Sequence, residues 1–245
     1  MRAQKQGVLM FLCALVASGI AVSHGASEQS RGSTPAASSA PVYKPPLRGA
    51  PRGRVGAGTR GSGERDIFVL SVLAPDHTGL TVSEQPSLYW FISQATGLPV
   101  EVAIADPRTT QPLLERRLPS PVPPGVHPIK LADFGVRLVP GVTYRWSVTV
   151  IADPDRRARD LLAGGLIERV DHPARLRERL AQARAEEVPF LYAEAGLWYD
   201  ALAAISELID RAPGDTVLLN QRAALLGQVG LPKLGGEEGT RTPRF

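Results

Sequence analysis

Cysteine is almost missing from this chain: Cys13 is alone among 245 residues. It lies within an apolar run, Val8 to Val22, preceded by Arg2 and Lys5 and followed by the small residues Ser23, Gly25 and Ala26. Charge, apolar run and small side chains in that order form the pattern of a secretory signal peptide. Cleavage is expected after Ser23 or Gly25, and it removes Cys13. The mature chain then has no thiol for a disulfide, a cysteine nucleophile, a CxxC redox pair or a thiolate zinc site. Leu12 before Cys13, and the position of Cys13 in mid-run, exclude lipid attachment. Long apolar runs are also lacking. The leader's run is about 15 residues, short of the roughly 20 that a membrane-spanning helix needs, so no stable span is expected after cleavage. An exported, periplasmic or outer-envelope protein of this kind works without ATP, NAD or a reducing buffer.

Histidine is nearly as scarce. Of four histidines, His24 lies beside the expected cleavage site, while His77, His127 and His172 of the mature chain stand far apart, each in or beside turn residues. No H-E-x-x-H or His-x-His pair occurs, so no metal is expected. There is no G-x-S-x-G, and Glu84 and Asp133 are isolated rather than paired as glycoside hydrolysis requires. Asp76-His77 is the best polar dipeptide, but turn chemistry accounts for it. Gly56-Ala57-Gly58-Thr59-Arg60-Gly61 spells G-x-G-x-x-G, yet an Arg/Gly/Pro run precedes it where a dinucleotide site needs a buried strand. No catalytic residue and no cofactor is expected.

Charge is unevenly placed. The formal +4 falls to +2 without Arg2 and Lys5, and residues 26–65 carry seven cations (Arg31, Lys44, Arg48, Arg52, Arg54, Arg60, Arg65) against Glu28 and Glu64. The body beyond is therefore mildly acidic. Residues 26–65, rich in Ser, Pro, Gly and Arg, read as a disordered cationic linker, with Val42-Tyr43-Lys44-Pro45-Pro46 favouring polyproline geometry. Such an arm suits weak contact with anionic cell-wall or lipid surfaces, not a nucleic-acid face.

From residue 66 to 170 short strands are expected: Ile67–Leu73, Leu88–Ile92, Leu98–Ile104, Ile129–Leu131, Thr143–Ile151 and Leu161–Val170, the last weakened by Gly164-Gly165. Asp76 to Gly79 reads as a turn, Arg108 to Pro124 as an irregular loop, and Asp153 to Asp160 as a solvated, self-paired loop. In Thr143–Ile151, Tyr144, Trp146, Val148 and Val150 alternate with polar residues, as in a half-buried antiparallel strand. Trp90 alternates in phase with Leu88 and Ile92 and is expected in the core. Tyr89 and Phe91 point the other way and are candidates for a ligand or partner surface. Strands without intervening helices suggest a β-sandwich. Leu138-Val139-Pro140-Gly141-Val142-Thr143-Tyr144-Arg145-Trp146 resembles the L-x-P-G-x-x-Y stretch of fibronectin type III domains. That resemblance implies a corner in which Tyr144 bonds back across the turn, and a core Trp90.

The period then changes to that of helices. One is expected after Asp171-His172-Pro173, another from Pro189 to Ala195, a third on Trp198, Ala201, Leu202, Ile205 and Ile209 stopped at Pro213-Gly214, and a fourth capped by Asp215 with Leu218, Leu219, Ala223 and Leu226 inward. Tyr192, Gly196, Trp198, Ala201 and Pro213 resemble a single tetratricopeptide unit. One hairpin cannot bury both faces, so 171–231 is expected as a helical region docking on the sandwich or on a partner, with Trp198 and Tyr199 as candidate contact residues. The tail 232–245 is expected to be disordered.

The stretches LAPDHTGLTVSEQPSLYWFIS, GVRLVPGVTYRWSV with IADPDRRARD, and YAEAGLWYDALAAISELI with RAALLGQVGL resemble the bacterial domain-of-unknown-function family 928. The resemblance spans roughly Tyr43 to Leu231. It implies an exported envelope protein of α+β class, without catalytic residues to carry over. The expected role is a non-catalytic protein-interaction or scaffolding module for envelope proteins. A glycan- or cell-wall-binding module is the alternative, favoured by exposed Tyr89 and Phe91. An unrecognised hydrolase is third, requiring a cleft that gathers His77 or His127 with carboxylates.

Overall fold

The computed structural model describes residues 39–46, Arg54, the backbone of 58–60, and 68–231. These belong to one compact unit. The leader, most of the linker and the tail 232–245 lie outside the described residues. The class is mixed α+β. Strands β1 (Gly58–Arg60), β2 (Phe68–Val72), β4 (Ser87–Ile92) and β7 (Gly125–Lys130) form an antiparallel sheet in the order β1-β2-β4-β7. The second sheet runs β3-β9-β8-β5-β6, built from β3 (Gly79–Thr81), β5 (Val100–Ala105), β6 (Leu114–Arg117), β8 (Thr143–Val150) and β9 (Leu161–Arg169). Its pairs are antiparallel except β3 with β9. Four helices follow: α1 (Ala174–Gln182), α2 (Val188–Glu194), α3 (Trp198–Arg211) and α4 (Thr216–Gly227).

In the five-stranded sheet, β5 and the first part of β8 are dry on one face. Val100, Val102 and Ile104 of β5, and Tyr144, Trp146 and Val148 of β8, are buried, while Arg145 between them is exposed. That is the period of two expected of a half-buried strand. β4 differs, because Leu88, Tyr89, Trp90, Phe91 and Ile92 are all buried in succession. Neighbouring side chains on a strand point to opposite faces, so this run needs cover on both sides. α3 supplies the second cover by packing on β3 and β4, with Ser206, Glu207 and Asp210 around the Tyr89 phenol. The helices are therefore a third layer on the sheets, sharing their hydrophobic core.

Two aromatic residues at the start of α3 make the junction. The Trp198 indole N–H donates to Leu73 O at 2.9 Å. The Tyr199 hydroxyl accepts from Trp146 Nε1 at 2.8 Å and donates to Leu166 O at 2.9 Å. Its ring lies where a side chain on Gly79 would stand: a Cβ there would come within 2.6 Å of Tyr199 Cε2. Gly165 makes similar room beside Trp146 and Ala74, so the glycine pair expected to weaken the last strand instead lets β9 run unbroken.

Other expectations also change. Gly58-Thr59-Arg60, within the presumed linker, pairs with Phe68–Leu70 as β1, so the sheets begin before residue 66. Gly79 opens β3 rather than closing a turn, and the irregular stretch 108–124 contains β6, a charged edge strand of sequence LERR. No side chain caps α1, where Asp171 or His172 was expected to, whereas the Asp215 carboxylate accepts from the amides of Val217 and Leu218 to cap α4. On α4, Leu225 is buried and Ala223 is exposed.

Tyr199→Phe should leave Trp146 Nε1 and Leu166 O unpaired in the dry core. Each such group costs about 1–3 kcal/mol, so the variant should lose roughly 2–4 kcal/mol in urea unfolding, with the denaturant slope unchanged. A loss under about 0.5 kcal/mol would show that the bridge does not hold the layers together.

Candidate functional site

The most built feature outside the core is a groove along the helical layer, and a stretch of the chain itself occupies it. Residues 39–46 run extended over α2, α3 and α4. The Gln228 side-chain amide reads the backbone twice: Nε2 donates to Pro41 O at 2.7 Å and Oε1 accepts from Tyr43 N at 2.8 Å. Gln221 Nε2 donates to Ser39 O at 3.3 Å, and Lys44 N donates to Ala193 O at 3.1 Å. Gln221 and Gln228 lie seven residues apart on α4, two helical turns, and so share a face.

Local sequence explains the groove's shape. α2 stops at Gly196, which takes φ +75, a left-handed conformation that glycine adopts without penalty. Gly196 N bonds back to Ala193 O and Leu197 N to Tyr192 O, the paired closure of a helix end. The same glycine lets the segment approach, since a Cβ on it would meet Lys44 O at 2.7 Å.

One large side chain of the segment is buried. The Tyr43 ring meets Trp198 edge-on at 5.1 Å and stacks on His77 at 5.8 Å. His77 Nδ1 lies 3.1 Å from Asp76 Oδ1, and His77 Nε2 lies 2.9 Å from the Tyr43 hydroxyl. The bond to His77 holds the Asp76 carboxyl below its ordinary range. As a carboxylate, Asp76 only accepts, so His77 Nδ1–H donates to it, leaving Nε2 to face the Tyr43 hydroxyl. Burial, with Asp76 nearby, raises the pKa of Tyr43 far above its normal value. The Asp76–His77–Tyr43 chain thus ends in a phenol that keeps its proton and packs on Trp198. It holds the segment against α3. Val42, by contrast, is 63% exposed, and Lys44 forms an exposed ion pair with Glu194 at 3.2 Å.

A second feature is a cleft of about 310 Å³ between the β3–β4 connection and α2–α3, lined by Ser83, Pro86, Tyr192, Asp200, Ala203 and Glu207. Asp200 accepts from Thr81 Oγ1 at 3.1 Å and from Val82 N at 3.0 Å, fastening α3 to the end of β3. Burial raises its pKa from 3.8 to about 7, against the pull of those hydrogen bonds. A larger, polar cleft of about 580 Å³ lies at the β6 edge beside the half-open Leu113 and Phe134. His77 and His127 line neither cleft. His127 packs on Trp90 at 4.9 Å and bonds to Pro123 O. Among the described residues, no three His, Cys, Asp or Glu side chains converge on a metal position, and no helix is long and apolar enough to cross a membrane.

The candidate surface residues are not on a surface. Tyr89 is 4% exposed, Phe91 5% and Tyr199 fully buried, whereas Trp198, buried with residues 39–46 in place, meets the Tyr43 ring. Of the alternatives expected for the helices, α3 takes docking on the sheets. Trp90, Leu138, Trp146 and Ala201 are buried, and Val139 N donates to the Tyr144 hydroxyl at 3.1 Å across the Pro140-Gly141 turn. Pro213 follows the end of α3 and is exposed. Tyr43, Asp200, Gln221 and Gln228 were not singled out for a site by the sequence. Tyr43, a lone aromatic in a Pro-rich run, and Asp200, a carboxylate amid apolar helix positions, were the available signals. Nothing marked the two glutamines.

A family model matches residues 55–238, most of the chain, which therefore belongs to the family described as Domain of Unknown Function (DUF928). No curated protein matches it significantly. The match contains every groove residue but begins after the 39–46 segment.

Asp200 gives a pH signature. A folded-state pKa near 7 against about 4 unfolded means that the native chain holds an extra proton in that interval. The contribution of Asp200 to stability therefore falls as pH rises from about 4 to 7. His127, whose pKa burial lowers, acts in the opposite sense, so the comparison with Asp200→Asn isolates the carboxyl. Urea unfolding should show wild type losing about one proton's worth of stability per pH unit relative to the variant. Parallel curves would mean that Asp200 is ionised throughout.

Proposed function

As a member of that family, the chain is one that we propose to be an exported, non-catalytic interaction module, in which a fibronectin type III-like sandwich carries a tetratricopeptide-like hairpin that receives extended protein segments. The observation that carries this reading is the groove itself, where Gln228, Gln221 and Ala193 hold an extended segment through its backbone. The antiparallel runs β2-β4-β7 and β9-β8-β5-β6, within sheets that also carry β1 and β3, support the sandwich assignment. The Tyr144 hydroxyl bonding back to Val139 supports it too. For the hairpin, the support is α2 ending on Gly196, α3 opening on Trp198 and α3 closing before Pro213. Export rests on the leader's order of charge, apolar run and small residues.

The glycan-binding alternative depended on exposed Tyr89 and Phe91, and both are buried. The arm's contact with anionic polymers keeps a reduced basis. Lys44 is paired with Glu194, and Arg54 donates to Ala74 O, Val229 O and Gly230 O, so the body engages both of the arm's cations whose side chains are described.

Photo-crosslinking in intact cells tests this reading. A crosslinker at Ala224, exposed between Gln221 and Gln228 on α4, should capture discrete envelope proteins. One at Leu162, exposed on the five-stranded sheet, should not. The recovered chain should begin after Ser23 or Gly25. Recovery of cell-wall fragments alone, or equal capture from both positions, would contradict the interaction reading.

A further inference from the structure

We propose that residues 39–46 are a resident pseudo-ligand, and that the groove's ligand in trans is an extended peptide presenting a tyrosine-like aromatic followed at once by a cation. This deepens the interaction reading above and rests on it. The contacts themselves define the ligand class. Four hydrogen bonds go to main-chain atoms of Ser39, Pro41, Tyr43 and Lys44, and such atoms are common to any extended chain. Selectivity falls on one side chain. Trp198 and His77 enclose the Tyr43 ring, and His77 Nε2 meets its hydroxyl, so the pocket distinguishes tyrosine from phenylalanine. Glu194, drawn below the ordinary carboxylate range by Arg179 and Lys44, stands beside the next residue and adds a weak preference for a cation. Val42 points outward, so that position is free to vary.

The occupant is separable from the site. Every groove residue lies within the family match at 55–238, and the segment lies before it. The segment is joined to Arg54, which is anchored on Ala74 O, Val229 O and Gly230 O, through a short stretch of Leu, Arg, Gly, Ala and Pro. A tether that short gives the segment an effective concentration on the order of millimolar at the groove. A peptide in trans must compete with it, so the apparent affinity falls by the fraction of time that the groove is open. The segment therefore sets a threshold, and a ligand that is weaker, or present at lower local concentration, is refused.

The test uses the full mature chain and a fluorescent synthetic peptide of the sequence Ser-Ala-Pro-Val-Tyr-Lys-Pro-Pro. By anisotropy, Tyr43→Ala should bind this peptide at least about tenfold more tightly than wild type does. Replacing the peptide's tyrosine with phenylalanine should weaken binding about two- to tenfold, and alanine should abolish it. As a second route that leaves Tyr43 in place, a protease site introduced between residues 47 and 53 allows the segment to be cut from its tether. The nicked chain should then exchange it for labelled peptide. No binding by either protein at about 1 mM peptide, or equal binding of the alanine peptide, would overturn the proposal. So would dimerisation of the wild-type chain through exchange of this segment, which would assign the groove to a second copy. If the peptide fails while Ala224 crosslinks persist, only the ligand class and the gate fall. If the Ala224 crosslinks fail while the peptide binds, only the envelope role falls.

Discussion

A tyrosine hydroxyl sealed from water ties the helices to the sheets. Tyr199 accepts from Trp146 of the five-stranded sheet and donates to Leu166 on the next strand, while its neighbour Trp198 bonds Leu73 at the end of the four-stranded one. A buried polar group left unpaired costs more than a good hydrogen bond contributes, so these partners fix where α3 begins. Once α3 is placed, the outer face of β4 is covered, Asp200 reaches the amide after β3, and Trp198 presents its ring edge to the groove. The same residues that complete the core thus build the wall against which residues 39–46 lie.

This economy explains why the binding surface is not where exposed aromatics would place it. The large aromatic side chains of β4 are buried beneath α3, and of those opening α3 only Trp198 also meets residues 39–46. Two glutamines, the Ala193 carbonyl at the end of α2 and one aromatic slot suit main-chain recognition of an extended segment. The histidine and aspartate beside the slot orient a phenol. They do not open onto either cleft.

Much of the fold was legible. The alternation in Thr143–Val150, the stop at Pro213-Gly214 and the cap at Asp215 are local signals with local causes, and they fall where the residues place them. β3 and β6 were not legible, because their pairing is with sequence-distant or charged strands: β3 is three residues held parallel to β9, and β6 is largely charged. In β4 the run Leu-Tyr-Trp-Phe-Ile carried the signal of a strand buried on both sides. Alternation alone gave Tyr89 and Phe91 a face but did not say whether that face was covered. The groove was hidden for a further reason. Composition marks residues 26–65 as unable to fold alone, which holds for the segment in isolation and says nothing of a surface elsewhere that can bind it.

Native-state hydrogen exchange tests the central claim, that helices and sheets are one cooperative unit joined through Tyr199. The account predicts that amides of α3, such as those of Leu202 and Ile205, open with the same free energy and denaturant dependence as the amide of Val148 in β8. Exchange of α3 at a clearly lower free energy, with the sheets still protected, would show two independent units and contradict it.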